Sequence, residues 1–275
     1  MNGPHSGFDS TRAIGGLALS EGHVVDELVQ IVDLDGADVL EIGGAVDADR
    51  IQDLGVRSWT SLDVTVRVNS AASSILGRAE QLPVCSSSVD VVFSSNAFQF
   101  VEIRSTFAEI RRVLRPGGLL LAHFGPIWGA IDGHQLEYVS FRGQDLVFWQ
   151  DPLIPPWGHL RYDRSGLLEV LSSSLESELA EILVTHIFDS DTINRRFFED
   201  YIDELLASGL EWVSVDASSD LDYKLSPPKY VMGAPLATSL DELQDYWSRR
   251  RGRPCDLSIR DVRLVARRPI AMDLW

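Results

Sequence analysis

The stretch DVLEIGGAVDADRIQDLGVRSWTSLD, residues 38–63, holds the element order from which the rest of the chain can be read. Its first five residues are a short, mainly apolar run that ends on Gly43 and Gly44. A polar, helix-compatible segment follows at 47–54, and a second apolar run at 59–62 stops at Asp63. Strand, tight turn, helix, strand is the pattern of a unit in a parallel sheet.

On the N-terminal side, Val24, Val25, Leu28, Val29 and Val32 recur at helical spacing, and residues 33–36 break the pattern, so a first helix enters the strand at 38–42. Residues 1–20 are rich in Gly and Ser and read as a mobile arm, a frayed end or a lid. On the C-terminal side, a third region ends at 80–83 and a continuous apolar strand covers 89–94. A helical stripe over 103–114 carries Phe107, Ile110, Val113 and Leu114, then residues 115–118 stop it and turn into a strand at 119–124. The first half is therefore a doubly wound α/β unit, in which ligands sit beyond the carboxyl ends of the strands.

After Phe124 the composition shifts. Residues 125–159 contain Trp128, Trp149 and Trp157, several glycines and prolines at 126, 152, 155 and 156, and they form the loop-rich part of a cap inserted over 125–190. Helices are predicted at 165–179 and 193–206, and strands at 212–215 and 257–266 can close the sheet. A chain of 275 residues suits one α/β domain, 21–275, with such an insertion.

Apolar residues make up 45% of the chain and charged ones 24%, the proportions of a globular protein. The formal charge of -17 repels phosphate backbones and anionic membranes, so nucleic acid and membrane are excluded as partners and a small or neutral substrate is expected. Self-association into a homodimer is left open. The basic run 249–253 lies beside Asp241, Glu242 and Asp245 and reads as a solvated helix end. Cys85 and Cys255 are too few for a disulfide framework, and no His, Cys, Asp and Glu cluster has metal-ligand spacing. With no basic leader and no apolar run of membrane-spanning length, the expected location is the cytoplasm.

Gly43 and Gly44 let the backbone approach a ligand and present amides at a helix start, or they simply make a turn. Asp63, twenty residues on, stands where a carboxylate accepts hydrogen bonds from ribose hydroxyls, or where it caps a helix. Together with VLEIGG at 39–44 and Asp63, the segments GRAEQLP at 77–83, DVVFSSN at 90–96 and LRPGG at 114–118 resemble, in order and spacing, the successive motifs of class I S-adenosylmethionine-dependent methyltransferases. The resemblance covers about residues 35–124.

It implies a Rossmann-like, seven-stranded, mostly parallel sheet with one antiparallel strand, and S-adenosylmethionine over the first strand ends. Glu41, Gly43 and Gly44 would lie near its amino-acid portion, Asp63 at the ribose, Ala79 and Glu80 near the adenine, and Ser94, Ser95, Asn96 and Ala97 toward the methyl donor and substrate. The chain departs from the family pattern at Ala45 and Asp47, where further glycines are usual, and at Arg78, where an acidic residue is often found. The similarity to small-molecule and natural-product methyltransferases also places substrate determinants in the cap.

Aromatic density in the cap independently fits a pocket, with Trp128, Tyr138 and Trp157 as substrate-contact candidates and turn anchoring as the alternative. His134 and His159 are the candidate general bases, because imidazole titrates near neutral pH, with His123 a weaker third; each can equally be a packed histidine. The expected activity is methyl transfer to an O or N atom of a small molecule. The alternative is a protein of the same fold that has lost methyl transfer and binds a ligand or catalyses a cyclisation or rearrangement. A nicotinamide-dependent oxidoreductase fits less well, since no Gly-x-Gly-x-x-Gly pattern is present.

Overall fold

The computed structural model describes residues 21–44, 46–65, 72–136, 138–147, 152–218 and 239–270. The arm at 1–20, Ala45 and Trp149 lie outside the described residues. By contacts the chain falls into two compact units, one formed by the described residues of 1–124, 201–218 and 261–275, the other by those of 125–200 and 219–260.

The first unit is built on a seven-stranded sheet: β1 (Asp38–Ile42), β2 (Ser58–Asp63), β3 (Ser73–Leu76), β4 (Val89–Ser95), β5 (Leu114–Phe124), β8 (Glu211–Ser218) and β9 (Asp261–Arg267). Their spatial order is β3-β2-β1-β4-β5-β9-β8. The pairs from β3 to β5 are parallel, and β9 runs antiparallel to both β5 and β8. This is the doubly wound, mostly parallel sheet with one antiparallel strand that the residue pattern and the resemblance led us to expect. Strand order reverses at β1, whose neighbours are β2 and β4, so the crevice for a ligand opens beyond the ends of these strands.

Burial explains why the central strands are continuous apolar runs: Val39, Leu40 and Ile42 of β1 and Val91, Val92 and Phe93 of β4 are all buried, as strands covered on both faces must be. On one face, Val24, Val25 and Leu28 of α1 (Glu21–Ile31) and Ile51 of α2 (Ala48–Gln52) pack on Val39, Trp59, Val91, Phe93, Leu119, Leu121 and Val265. On the other, Phe107 of α3 (Ile103–Val113) meets Phe98, which stacks on Phe124, which in turn meets Tyr201 of α7 (Phe198–Ser208). Glu102 caps α3 by accepting from the backbone N–H groups of Arg104 and Ser105.

Four boundaries differ from the sequence reading. The LRPGG segment is inside a strand rather than before it: Leu114 pairs with Val89 and Leu119 with Val91, so the residues between bulge out of β5. Gly118 is needed there, since a Cβ would stand 2.9 Å from the Asp90 carbonyl oxygen. The helix predicted at 165–179 is two helices, α5 (Arg164–Ser172) and α6 (Ser177–Asp189), broken at the serine run that begins with Ser172. The helix predicted from 193 starts at Phe198, because Arg195 has a left-handed backbone and its guanidinium is spent on the Ile187 and Ser190 carbonyls that end α6. Likewise β9 begins at Asp261, not 257, because Leu257 is buried in the core of the second unit and its N–H is held by Gln244.

The second unit contains the hairpin β6 (Tyr138–Phe141) and β7 (Gln144–Val147), the one-turn α4 (Gly158–Arg161), α5, α6 and α8 (Leu240–Arg251). Its core joins Leu167 and Leu171 of α5, Leu179, Leu183, Val184 and Ile187 of α6, Leu243 of α8 and Trp128. A capping box of Ser239 and Glu242 starts α8, and Gly252 in the left-handed conformation ends it. The basic run at its end is more than a solvated tip: Arg251 pairs with Glu199 at 3.1 Å and with Asp200, Arg253 also pairs with Asp200, and the Arg251 guanidinium lies 4.1 Å from the Phe197 ring centroid. Cys85 is exposed and Cys255 buried, both as free thiols. Among the described residues no helix is long and apolar enough to cross a membrane, and no group of three or more His, Cys, Asp or Glu is arranged to hold a metal.

Candidate active site

Glu41 is the organising residue of the β1 end. It is buried, and its carboxylate accepts from Trp59 Nε1 at 2.8 Å, Ser61 Oγ at 2.6 Å and the Val46 N–H at 3.1 Å. Two of these donors come from β2, where parallel register sets Ser61 directly beside Glu41, and the third ties down the turn after Gly44. A buried carboxylate with three donors is satisfied where it stands, so Glu41 shapes the turn from beneath.

The two glycines fit that turn for steric reasons. Gly43 has φ +81°, and a Cβ there would stand 2.7 Å from Ala97 Cβ; at Gly44 a Cβ would stand 2.6 Å from Ser61 Cβ. The turn is thus pressed between the end of β2 and the loop after β4. Gly44, Ser61 and Asp63 line a cleft of about 140 Å³ with Thr65, Ser74, Ile75 and Leu76. Asp63 is positioned by its own turn, its Oδ1 accepting from the Thr65 N–H at 2.8 Å and Thr65 Oγ1 at 2.9 Å.

Ser61 and the β3 residues were missed by sequence reasoning. Ser61 had a signal, since a strand presents alternate residues to one face and it lies two before Asp63. The β3 residues had none, because their approach depends on strand pairing. The chemistry of the cleft suits a nucleoside: a carboxylate for hydroxyl groups, small polar side chains, and Ile75 and Leu76 for apolar contact.

The remaining strand-end candidates bracket this turn. Ser94 Oγ donates to the Ile42 carbonyl at 3.0 Å, fastening β4 to β1. Ser95 is buried, and Asn96, with φ +54°, donates its N–H to the His123 carbonyl at 2.8 Å. Ala79 is buried; Glu80 pairs with Arg78 at 3.2 Å and accepts from the Glu102 N–H at 3.0 Å. The charge that Arg78 brings to this loop is therefore answered by Glu80. Asp47 is exposed at the N-cap position of α2, and the buried residue of the turn is Val46.

In the second unit the structure brings His134, His159 and Trp128 together and leaves Tyr138 exposed on β6. His159 Nε2 lies 2.8 Å from the Trp128 carbonyl oxygen, which can only accept, so Nε2 carries the proton. The two imidazoles meet edge to face at 5.8 Å, and His134 Nδ1 accepts from the Leu136 N–H. Burial holds His159 down to about 4 and His134 well below the usual imidazole range. Below them in sequence, Asp132 forms a buried pair with Arg260 at 2.9 Å. Trp157 donates Nε1 to the Gly129 and Leu257 carbonyls, each at 3.2 Å, as the anchor of its turn.

Residues 51–122 match a family model described as a methyltransferase domain. A segment of 54 residues is 52% identical to the malonyl-[acyl-carrier protein] O-methyltransferase of Xylella fastidiosa (strain M23), covering 19% of this chain and 18% of that protein. An uncharacterised methyltransferase of Mycobacterium tuberculosis (strain ATCC 25618 / H37Rv) is 37% identical over 92 residues, 34% of this chain and 36% of that one. The chain spans about a fifth of the length of the first curated relatives it matches. An S-adenosylmethionine dependent methyltransferase from Mesorhizobium loti, of known structure, aligns over 90% of this chain and 98% of its own with TM-score 0.48 and 12% identity.

Sheet order is that of a Rossmann-like α/β fold, and within it residues 51–122 are similar to a methyltransferase domain.

Proposed function

We propose that the protein transfers a methyl group from S-adenosylmethionine to an oxygen or nitrogen atom of a small molecule. The observation that carries this reading is the cleft at the β1, β2 and β3 ends, lined by Asp63 at the end of β2 and by Gly44 in the turn that Glu41 fastens. When bound, the cofactor supplies an electrophilic methyl group on sulfur. The chain's own work is then positioning. Asp63 would take the ribose hydroxyls, Gly43 and Gly44 would admit the amino-acid portion, and the 79–80 loop would sit at the base. Residues 94–96 would set the face toward the acceptor.

A charge of -17 favours neutral acceptors over anionic ones. The malonyl thioester on acyl-carrier protein, named for several relatives, belongs in any acceptor panel. The buried, neutral state of His134 and His159 supports a packing role inside the second unit over proton exchange with substrate. The decisive test is calorimetric titration with S-adenosylhomocysteine. Micromolar binding that weakens in Asp63→Ala is expected; absence of binding by the wild type sinks the reading. Cofactor bound but unconsumed across acceptors would favour a methyltransferase fold turned to other chemistry.

A further inference from the structure

Three elements of the first unit bring buried polar atoms to one level of the sheet. Ser95 ends β4, and parallel register pairs it with His123 of β5, so their side chains project from the same face. It is the face that α1 covers, because Val91, Phe93, Leu119 and Leu121, two and four residues earlier in the same strands, pack on Val24, Val25 and Leu28. Glu27 of α1 stands over this row, its Oε2 at 3.9 Å from His123 Nδ1, too far for a hydrogen bond.

Among the described residues, Glu27 Oε2, Ser95 Oγ and His123 Nδ1 are all buried without a hydrogen-bond partner. Ser95 is 6% and His123 3% exposed. Such atoms are costly to leave unmatched, and here Glu27 and His123 approach each other while Ser95 is His123's strand partner, so a ligand group at this level of the sheet can answer all three. The wall behind them is held firmly: Glu27 Oε1 accepts from Arg263 at 2.9 Å, and Arg263 also pairs with Asp216 at 2.8 Å. The row adjoins the cofactor turn, since the loop after Ser95 reaches Gly43 through Ala97 and is tied to the His123 carbonyl by Asn96.

We propose that Glu27, Ser95 and His123 receive the hydroxyl group of the methyl acceptor, which makes the substrate class a neutral alcohol or phenol. This rests on the methyl-transfer reading above. A hydroxyl satisfies the set: it donates to Glu27 Oε2, accepts from the Ser95 hydroxyl, and lies against His123 Nδ1. A carboxylate acceptor would meet the Glu27 charge, and an ammonium would meet Arg263. In the transfer step the acceptor oxygen bonds the methyl carbon, the methyl–sulfur bond breaks with its electron pair left on sulfur, and the hydroxyl proton passes to the Glu27 carboxylate. Burial raises the proton affinity of that carboxylate, while His123, lowered to about 4 by burial and by Arg263, stays neutral and orients the hydroxyl.

The test uses the full chain labelled with ¹⁵N-histidine and titrated with phenol, with and without S-adenosylhomocysteine. One histidine signal should shift, and its absence in His123→Gln assigns it. Ser95→Ala, which removes a hydroxyl and threatens the fold least, and the isosteric Glu27→Gln should each weaken phenol binding at least fivefold. Benzoate should leave the signal unmoved. A His123 signal indifferent to phenol, or equal phenol affinity in Ser95→Ala and Glu27→Gln, overturns the proposal, as expected if the three atoms hold only a water molecule. Failure of S-adenosylhomocysteine to bind the wild type would instead strike the methyl-transfer reading, with the phenol titration of the cofactor-free chain still deciding the hydroxyl site.

Discussion

Glu41 in the first unit and Asp132 in the second are both buried carboxylates, yet they are satisfied in different ways. Glu41 takes neutral donors, Trp59, Ser61 and a backbone N–H, two of them fixed by the register of β1 on β2. Asp132 takes a full countercharge from Arg260, 128 residues away in sequence, in a pair whose side chains are 3% and 10% exposed. A carboxylate held by strand neighbours is a by-product of sheet formation. One held by a distant guanidinium depends on the whole unit closing around it. The first arrangement leaves a half-open cleft beside it; the second, with His134 and His159, gives the second unit a polar interior.

The largest effect that can break this comparison is Asp132→Ala. Stranding Arg260 in the interior should cost about 3–5 kcal/mol in chemical denaturation. A loss below about 1 kcal/mol would mean that the pair is solvated and the contrast with Glu41 false.

Next comes pH. His159 titrates at about 4 in the folded chain against 6.5 for an ordinary imidazole, so below pH 6.5 the unfolded chain takes up a proton that the folded chain refuses. Stability should be full above that pH and fall by ~3 kcal/mol as pH drops to about 4, with His134 acting in the same direction. Asp38, which the Arg57 guanidinium holds well below the usual carboxylate range, does not titrate in this window. Urea midpoints at successive pH values should trace the slope, and His159→Gln should flatten it.

Asp63→Ala should separate function from stability in the first unit. Losing a charged acceptor for the ribose removes about 1.5–3 kcal/mol of binding, a drop of roughly 10- to 100-fold in S-adenosylhomocysteine affinity. The urea midpoint should move little, since the Asp63 carboxylate accepts from Thr65 of its own turn. The smallest effect is expected at the surface: Arg104 pairs with Glu204 at 2.9 Å, but its side chain is 77% exposed, so Glu204→Gln should change stability by less than about 1 kcal/mol and lose even that at high salt.

Much of the first unit was legible in the chain because its signals are local. Apolar periodicity marked α1, β1, β4 and α3 to within a residue or two, and Gly43, Gly44 and Asp63 announced the turn and the strand end. Less of the candidate site was legible. Ser74 and Ile75 join Asp63 only through the pairing of β2 with β3, and Glu27 meets His123 only because α1 lies across β5. The basic run at 249–253 reads as a solvated tip until Arg251 and Arg253 are seen against Glu199 and Asp200.

The sequence by itself determined the alternation of strands and helices and the position of the glycine turn after β1, since hydrophobic period and glycine placement are written along the chain. Tertiary structure alone decided which buried polar groups meet: Asp132 with Arg260, His134 with His159, and Glu27, Ser95 and His123 at one level of the sheet. Those meetings join segments up to 128 residues apart, and their energies come from burial and register, which exist only once the strands have paired and the cores have closed.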